Sequence, residues 1–185
     1  MENQHLENAG YSAKALPEGE YDNCAFTNCN FSGSDLSGVT FMECAFDNCN
    51  LSMAKMNDTA LKDVKFKSCK LLGVNFSVCK TFLLALDFED CLLNLASFHQ
   101  LKLKGTRFKN CQLREADFAE TDLTRATFGG CDLSGAIFEY TVLEKADFRT
   151  ASGYDIDPET NRIKRAKFSR QGLAGLLGKF DIEIE

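Results

Sequence analysis

Nine cysteines and two histidines are the residues of this 185-residue chain best suited to chemistry. Cys24 with Cys29, and Cys44 with Cys49, form Cys-x4-Cys pairs, and thiolates at short spacing suit a zinc ion or a redox couple. His5 or His99 could add an imidazole ligand or a general base. None of these sets is complete. Neither histidine has a partner at a metal-ligand or triad spacing. Gly129-Gly130 lacks the Lys-Ser/Thr of a phosphate loop, and Glu89 and Asp90 read as adjacent solvated carboxylates. The expectation is a protein without catalytic residues, metal, cofactor or small-molecule substrate.

The opening Met1-Glu-Asn-Gln-His is polar, and no apolar run reaches the roughly 18–20 residues of a membrane helix. A cytoplasmic chain with no membrane partner is therefore expected, and a reducing compartment disfavours a disulfide scaffold.

What positions the cysteines is a repeat. Every fifth residue from Tyr21 is apolar, through Phe26, Phe31, Leu36, Phe41 and Phe46 as far as Phe76. The series breaks at Thr81 and resumes two residues out of phase at Leu83. From there Leu and Phe alternate every five residues to Phe148 without a miss. A helix repeats at 3.6 residues and a strand at 2, so a period of five is neither. The residue two before each of these positions is small or compact, with Leu86 and Leu101 the large exceptions. Cys24, Cys29, Cys44, Cys49, Cys69, Cys79, Cys91, Cys111 and Cys131 all occupy that small position. They read as compact buried hydrophobes. Stacked about 4.8 Å apart they would lie within disulfide range, so distance alone leaves oxidation open.

The unit small–polar–Phe/Leu–polar–polar, as in Ala116-Asp-Phe-Ala-Glu and Thr121-Asp-Leu-Thr-Arg, resembles that of the pentapeptide-repeat proteins. The resemblance implies an all-β fold, a right-handed quadrilateral parallel β-helix with four repeats per coil. The sequence supports a coil of twenty residues. Phe88, Phe108, Phe128 and Phe148 are spaced by twenty, as are Phe98, Phe118 and Phe138, and Leu93, Leu113 and Leu133. Leu83, Leu103, Leu123 and Leu143 would line the remaining face. With strands about 4.8 Å apart, residues 21–150 make roughly six and a half coils and a rod about 30 Å long. Residues 1–20 cap or extend the first coil, or stay partly disordered.

Residues 151–168 read as a loop around Gly153 and Pro158 followed by a last partial coil at Ile163 and Phe168. In residues 169–185, Ser169 is a fair N-cap, Leu173, Leu176 and Leu177 lie at helical spacing, and Gly178 is a stop. Phe180, Ile182 and Ile184 then alternate with acidic residues as in a strand. This layout is similar to that of the quinolone-resistance (Qnr-type) and microcin-immunity members of the family. That resemblance implies an end-to-end homodimer, carried over to Leu173, Leu176, Leu177 and Phe180. It also implies an acidic rod that mimics duplex DNA and occupies type II topoisomerases such as DNA gyrase. The alternatives are that the four residues cap their own solenoid, and that the chain is a general interaction scaffold for an unrelated partner.

Net charge is −6, which speaks against direct nucleic-acid binding. Residues 115–161 carry −8 and could serve as a duplex surrogate through Glu115, Asp117, Glu120, Asp122, Asp132, Glu139, Glu144 and Asp147. Against this stand Lys102, Lys104, Arg107, Lys109 and Arg114, and a second basic group at Lys55–Lys80, which would repel a cationic partner.

Overall fold

A computed structural model describes residues 1–14, 16, 17 and 19–183. The five-residue period is the side of a square. Each coil turns through four faces, and a single coil cannot bury its inward residues until the next one stacks on it. Following the chain, face 1 carries Tyr21, Phe41 and Leu61; face 2 carries Phe26, Phe46 and Phe66. Face 3 carries Phe31, Leu51 and Leu71; face 4 carries Leu36, Met56 and Phe76. All are buried.

Face 2 is a seven-stranded parallel sheet of His5–Glu7, Ala25–Thr27, Ala45–Asp47, Val64–Lys67, Leu86–Glu89, Arg107–Lys109 and Thr127–Gly129. Face 1 holds a three-stranded sheet of Glu20–Asp22, Thr40–Met42 and Ala60–Lys62. Faces 3 and 4 are joined by single parallel bridges, such as Asn30↔Asn50 and Ser97↔Asp117.

The register stacks like residues on like. Phe88, Phe108 and Phe128 are cross-strand partners, with rings nearly parallel at 5.2 and 5.1 Å between centroids. Phe98 and Phe118 stack at 5.0 Å on face 4 and meet the face 2 rings edge-on across the core, as in Phe98–Phe108 at 5.8 Å. Offset-stacked and edge-to-face pairs each add about 0.5–1.5 kcal/mol beyond the area they bury. The core is thus a continuous aromatic lattice.

The phase slip is an insertion of two residues into one coil. Phe46 pairs with Phe66, but Phe66 pairs with Phe88. The extra residues are absorbed at the corner between faces 1 and 2. Leu83 is not the start of an inward column, as its place in the Leu/Phe series suggests. It takes the left-handed corner conformation at φ 58° and is 62% exposed. Phe82 beside it is 75% exposed, while Leu84 packs against the core in Leu83's stead. Two extra residues fit a corner without breaking the ladder on either side.

At the N-terminus, His5–Glu7 pairs with Ala25–Thr27 in the same register. Tyr11 stacks on Phe31 at 4.9 Å, and Leu16 is buried. The described residues before Tyr21 therefore form a first coil, and the apolar step of five extends back through Leu16, Tyr11 and Leu6.

The corners explain the polar half of the repeat. At tight corners the central residue's carbonyl accepts the N–H three residues on, as from Ser34 to Phe31 (3.0 Å) and Thr121 to Phe118 (3.1 Å). The N–H just after the central residue is then taken by the Asn or Asp just before it. Ser32 donates to Asn30 Oδ1 at 3.0 Å, Ala119 to Asp117 at 2.9 Å, Thr124 to Asp122 at 3.1 Å and Ser134 to Asp132 at 3.0 Å. Asp and Asn are preferred there because their short side chains reach their own backbone two residues on.

The small inward residue also donates. The Sγ of Cys44 donates to Tyr21 O at 3.2 Å and that of Cys69 to Phe46 O at 3.4 Å. Thr59, Thr121 and Thr141 do the same with their hydroxyls at 2.8, 2.8 and 2.9 Å. All nine thiols are free and buried. Burial pushes the Cys44 thiol up to about 11 and the Cys79 thiol up to about 12.

The C-terminus departs from expectation. There is no α-helix over 169–177 but a 3₁₀ turn at Leu173–Leu176, followed by a second at Gly178–Phe180. Ser169 does not cap a helix directly, although its Oγ accepts the Gly172 N–H at 3.1 Å. Gly178 opens the second turn rather than ending the structure. The alternation at Phe180 and Ile182 forms no strand, and Ile184 lies outside the described residues. Two facts account for this. Lys179 bonds Asp157 (2.9 Å) and Glu159 (2.5 Å), holding the turn against the 155–160 loop. Asp181 is left-handed at φ 49°, which ends any extended run.

Candidate interaction surfaces

The interior is filled by its own Phe, Leu and Cys, so any site lies outside. No helix of the described residues is long and apolar enough to cross a membrane, and no group of three His, Cys, Asp or Glu side chains among them is placed to hold a metal ion. His5 is exposed, with Nε2 3.1 Å from Thr27 Oγ1, and His99 lies on face 4.

The structure divides the eight candidate acidic residues into two groups of four. Asp122, Asp132, Glu144 and Asp147 lie on faces 1, 3, 1 and 2, and each is met by a base. Lys104 lies 3.2 Å from Asp122, Arg114 2.7 Å from Asp132, Arg162 2.6 Å from Glu144 and Arg149 2.7 Å from Asp147. Ser134's hydroxyl and N–H, then Arg114, hold the Asp132 carboxyl below the usual range. Arg149 does the same for Asp147. These residues build corners and surface ion pairs.

The other four belong to face 4 and its bounding corners. Asp117 and Glu139 are on the face, Glu115 is at the corner with face 3 and Glu120 at the corner with face 1. None has a Lys or Arg partner among the described residues. Glu120 accepts instead from Gln100 Nε2 at 3.0 Å, and Asp117 from Ser97 Oγ at 3.3 Å. Toward the N-terminus the next two coils carry no acid on this face, where Asn75, Ser77, Ser97, His99 and Gln100 stand; Asp58 and Asp35 lie beyond them, Asp35 paired in the ladder with Lys55. Toward the other end, Asp155, Asp157 and Glu159 line or adjoin an open groove of about 610 Å³ with Glu139, the exposed Tyr140 and Lys179. Linear charge counting missed this division, because residues ten apart lie on opposite faces.

The four expected dimer residues also divide. Leu176 packs against the core, and Leu177 is half-buried. Their turn is seated on Tyr154, which is buried between Phe148 (5.6 Å) and Phe168 (5.7 Å). Gly172 and Gly175 lie against Tyr154 so closely that a Cβ on either would collide with it. Leu173, Phe180 and Ile182 face outward at 48, 53 and 55% exposure. The tail therefore caps its own rod with one side and presents apolar side chains on the other. Tyr154 and Ile156, both buried, were hidden within a stretch that reads as a loop.

Five residues to a side, four sides to a coil and a closed apolar core define a quadrilateral β-solenoid. The family model for the pentapeptide repeat region matches residues 20–98, 39–118 and 101–176, and the chain belongs to the pentapeptide-repeat family. Among solved structures, a trypsin-treated QnrB1, a plasmid-mediated fluoroquinolone resistance protein, is 18% identical with a TM-score of 0.65, over 100% of this chain and 99% of that one. Full-length QnrB1, also 18% identical, gives 0.50 over 98% and 99%. At that identity the likeness is one of fold. A comparison with curated proteins found no match.

Proposed function

We propose that the chain is a non-catalytic binding protein that presents face 4 as a surrogate for duplex DNA to a type II topoisomerase. The carrying observation is the cluster Glu115, Asp117, Glu120 and Glu139 without a basic partner among the described residues; beyond it Asp155 adds a further acid, while Asp157 and Glu159 are paired with Lys179. A surface shaped to receive phosphates favours regularly spaced negative charge over a comparable length. The four fall on two adjacent coils about 4.8 Å apart, which concentrates them into one acidic patch. Leu173 and Phe180 lie at the same end of the rod, so an end-to-end homodimer through them would join two acidic faces into one longer surface.

Supercoiling by purified DNA gyrase, titrated with this chain with and without a fluoroquinolone, tests the reading. Inhibition of supercoiling or relief of the drug supports it; no inhibition, protection or binding at micromolar concentration removes it. Leu173→Glu, exposed and away from the core, should lower the sedimenting mass if the end seam exists, and unchanged mass would refute the seam.

A further inference from the structure

The corner between faces 1 and 2 carries a column of residues that changes character once along the rod. Its left-handed positions are Asn3, Asn23, Glu43, Asp63, Leu83, Gly105, Arg125, Lys145 and Arg165, one per coil. Polar residues give way to two acids, then to an apolar residue and a glycine, then to three bases. Every charged member is exposed, and none has an ion-pair partner among the described residues.

The middle of the column is also where the insertion pushes Phe82 and Leu83 into solvent. One coil further on, Gly105 has no atom within 4 Å of where a Cβ would sit. It borders a depression of about 190 Å³ whose floor includes Leu84, Leu86 and Leu103. An apolar knob thus lies beside a hollow with leucines at its floor and charged walls that include Asp63, Asp87, Lys102 and Lys104, with opposite charges further along the column on either side.

We propose that this corner is the interface of an antiparallel, side-by-side homodimer. A two-fold interface must be self-complementary, so that residue i meets j and j meets i. A two-fold axis between the Leu83 and Gly105 coils meets that condition along the whole column. It sets Leu83 over the partner copy's glycine, brings Phe82 to the hollow, and places Asp63 against Arg125 and Glu43 against Lys145. A parallel pairing would oppose like charges at each of the five charged levels, Glu43, Asp63, Arg125, Lys145 and Arg165. Lys62 and Lys65 beside Asp63 moderate the acidic half, whereas Glu144 beside Lys145 is already held by Arg162 at 2.6 Å. The corner does not border face 4, so the pairing leaves the acidic face open and is independent of its proposed partner.

Sedimentation velocity on the full chain tests this in a Leu173→Glu background, which removes the proposed end seam. That chain should still sediment as a dimer. Adding Phe82→Asp, Asp63→Arg or Arg125→Asp should each halve the mass. Asp63→Arg combined with Arg125→Asp should restore it, because the swapped charges meet again across the two-fold axis, and that recovery also shows that the single variants fold. A monomeric Leu173→Glu chain, a mass indifferent to Phe82→Asp, or a charge swap that fails to restore the dimer would overturn the proposal.

Discussion

The thiol of Cys49 donates to the carbonyl oxygen of Phe26, one coil away, across 3.3 Å. The inward cysteine is therefore both small enough for the corner and polar enough to engage a buried backbone carbonyl. Replacing Cys49 by Ser should keep the donor, as Thr121 and Thr141 do at other corners. Cys49→Val should cost about 1–2 kcal/mol by removing it and adding bulk. Urea denaturation of the two variants checks this. Equal stabilities would mean that the thiol acts only as a spacer.

The thiols should be inert in the folded protein. All nine are buried, and burial holds Cys44 and Cys79 well above neutral pH. A disulfide reagent at pH 8 should label none until denaturant is added, because all nine sulfurs are buried out of its reach.

Phe108 and Leu83 belong to the same five-residue series but should respond oppositely. Phe108 is fully buried in the face 2 stack, and Phe108→Ala should cost about 3–5 kcal/mol. Leu83 is exposed within its own chain, and in a Leu173→Glu, Phe82→Asp background that removes both proposed seams Leu83→Ala should stay within about 0.5 kcal/mol. Thermal melts would separate the two.

This contrast marks how far the sequence could be read. Phe, Leu and Cys at fixed steps disclosed the coil, its twenty-residue length and the aromatic stacks, because each inward position faces the same geometry in every coil. The same regularity misled at Leu83, where the residue type matches the pattern but the corner absorbs an insertion. The surface was less legible. Asp122 and Asp132 look like charges for a partner, but their Oδ1 atoms bind the backbone at Thr124 and Ser134. Sequence distance does not say which face a charge occupies. In the tail, Tyr154 and the Lys179 ion pairs override a local strand pattern.

Those corner aspartates should make stability sensitive to acid. Asp132 and Asp147 titrate below their ordinary value in the fold. A depressed carboxyl contributes stability above its unfolded pKa of about 3.9 and loses it as pH falls through the folded value. The melting temperature should therefore drop as pH is lowered below about 4. Asp132→Asn, which keeps an acceptor for the Ser134 N–H, should flatten that slope while changing stability little at pH 7.

Tyr154 is buried, and its hydroxyl has no hydrogen-bond partner among the described residues. A buried unsatisfied polar group costs about 1–3 kcal/mol. Tyr154→Phe should therefore leave the protein equally stable or more so, whereas Gly175→Ala should loosen the tail by driving a Cβ into the Tyr154 backbone. Proteolysis of the C-terminal segment distinguishes them.

Competition for gyrase tests the central claim most directly. A fluorescently labelled DNA duplex bound to gyrase should be displaced by this chain, with anisotropy falling as the chain is added. Glu115→Lys with Glu120→Lys should weaken displacement at least tenfold, whereas Asp132→Asn should leave it unchanged. Anisotropy that stays constant, or displacement indifferent to the Glu115 and Glu120 reversals, would contradict the account.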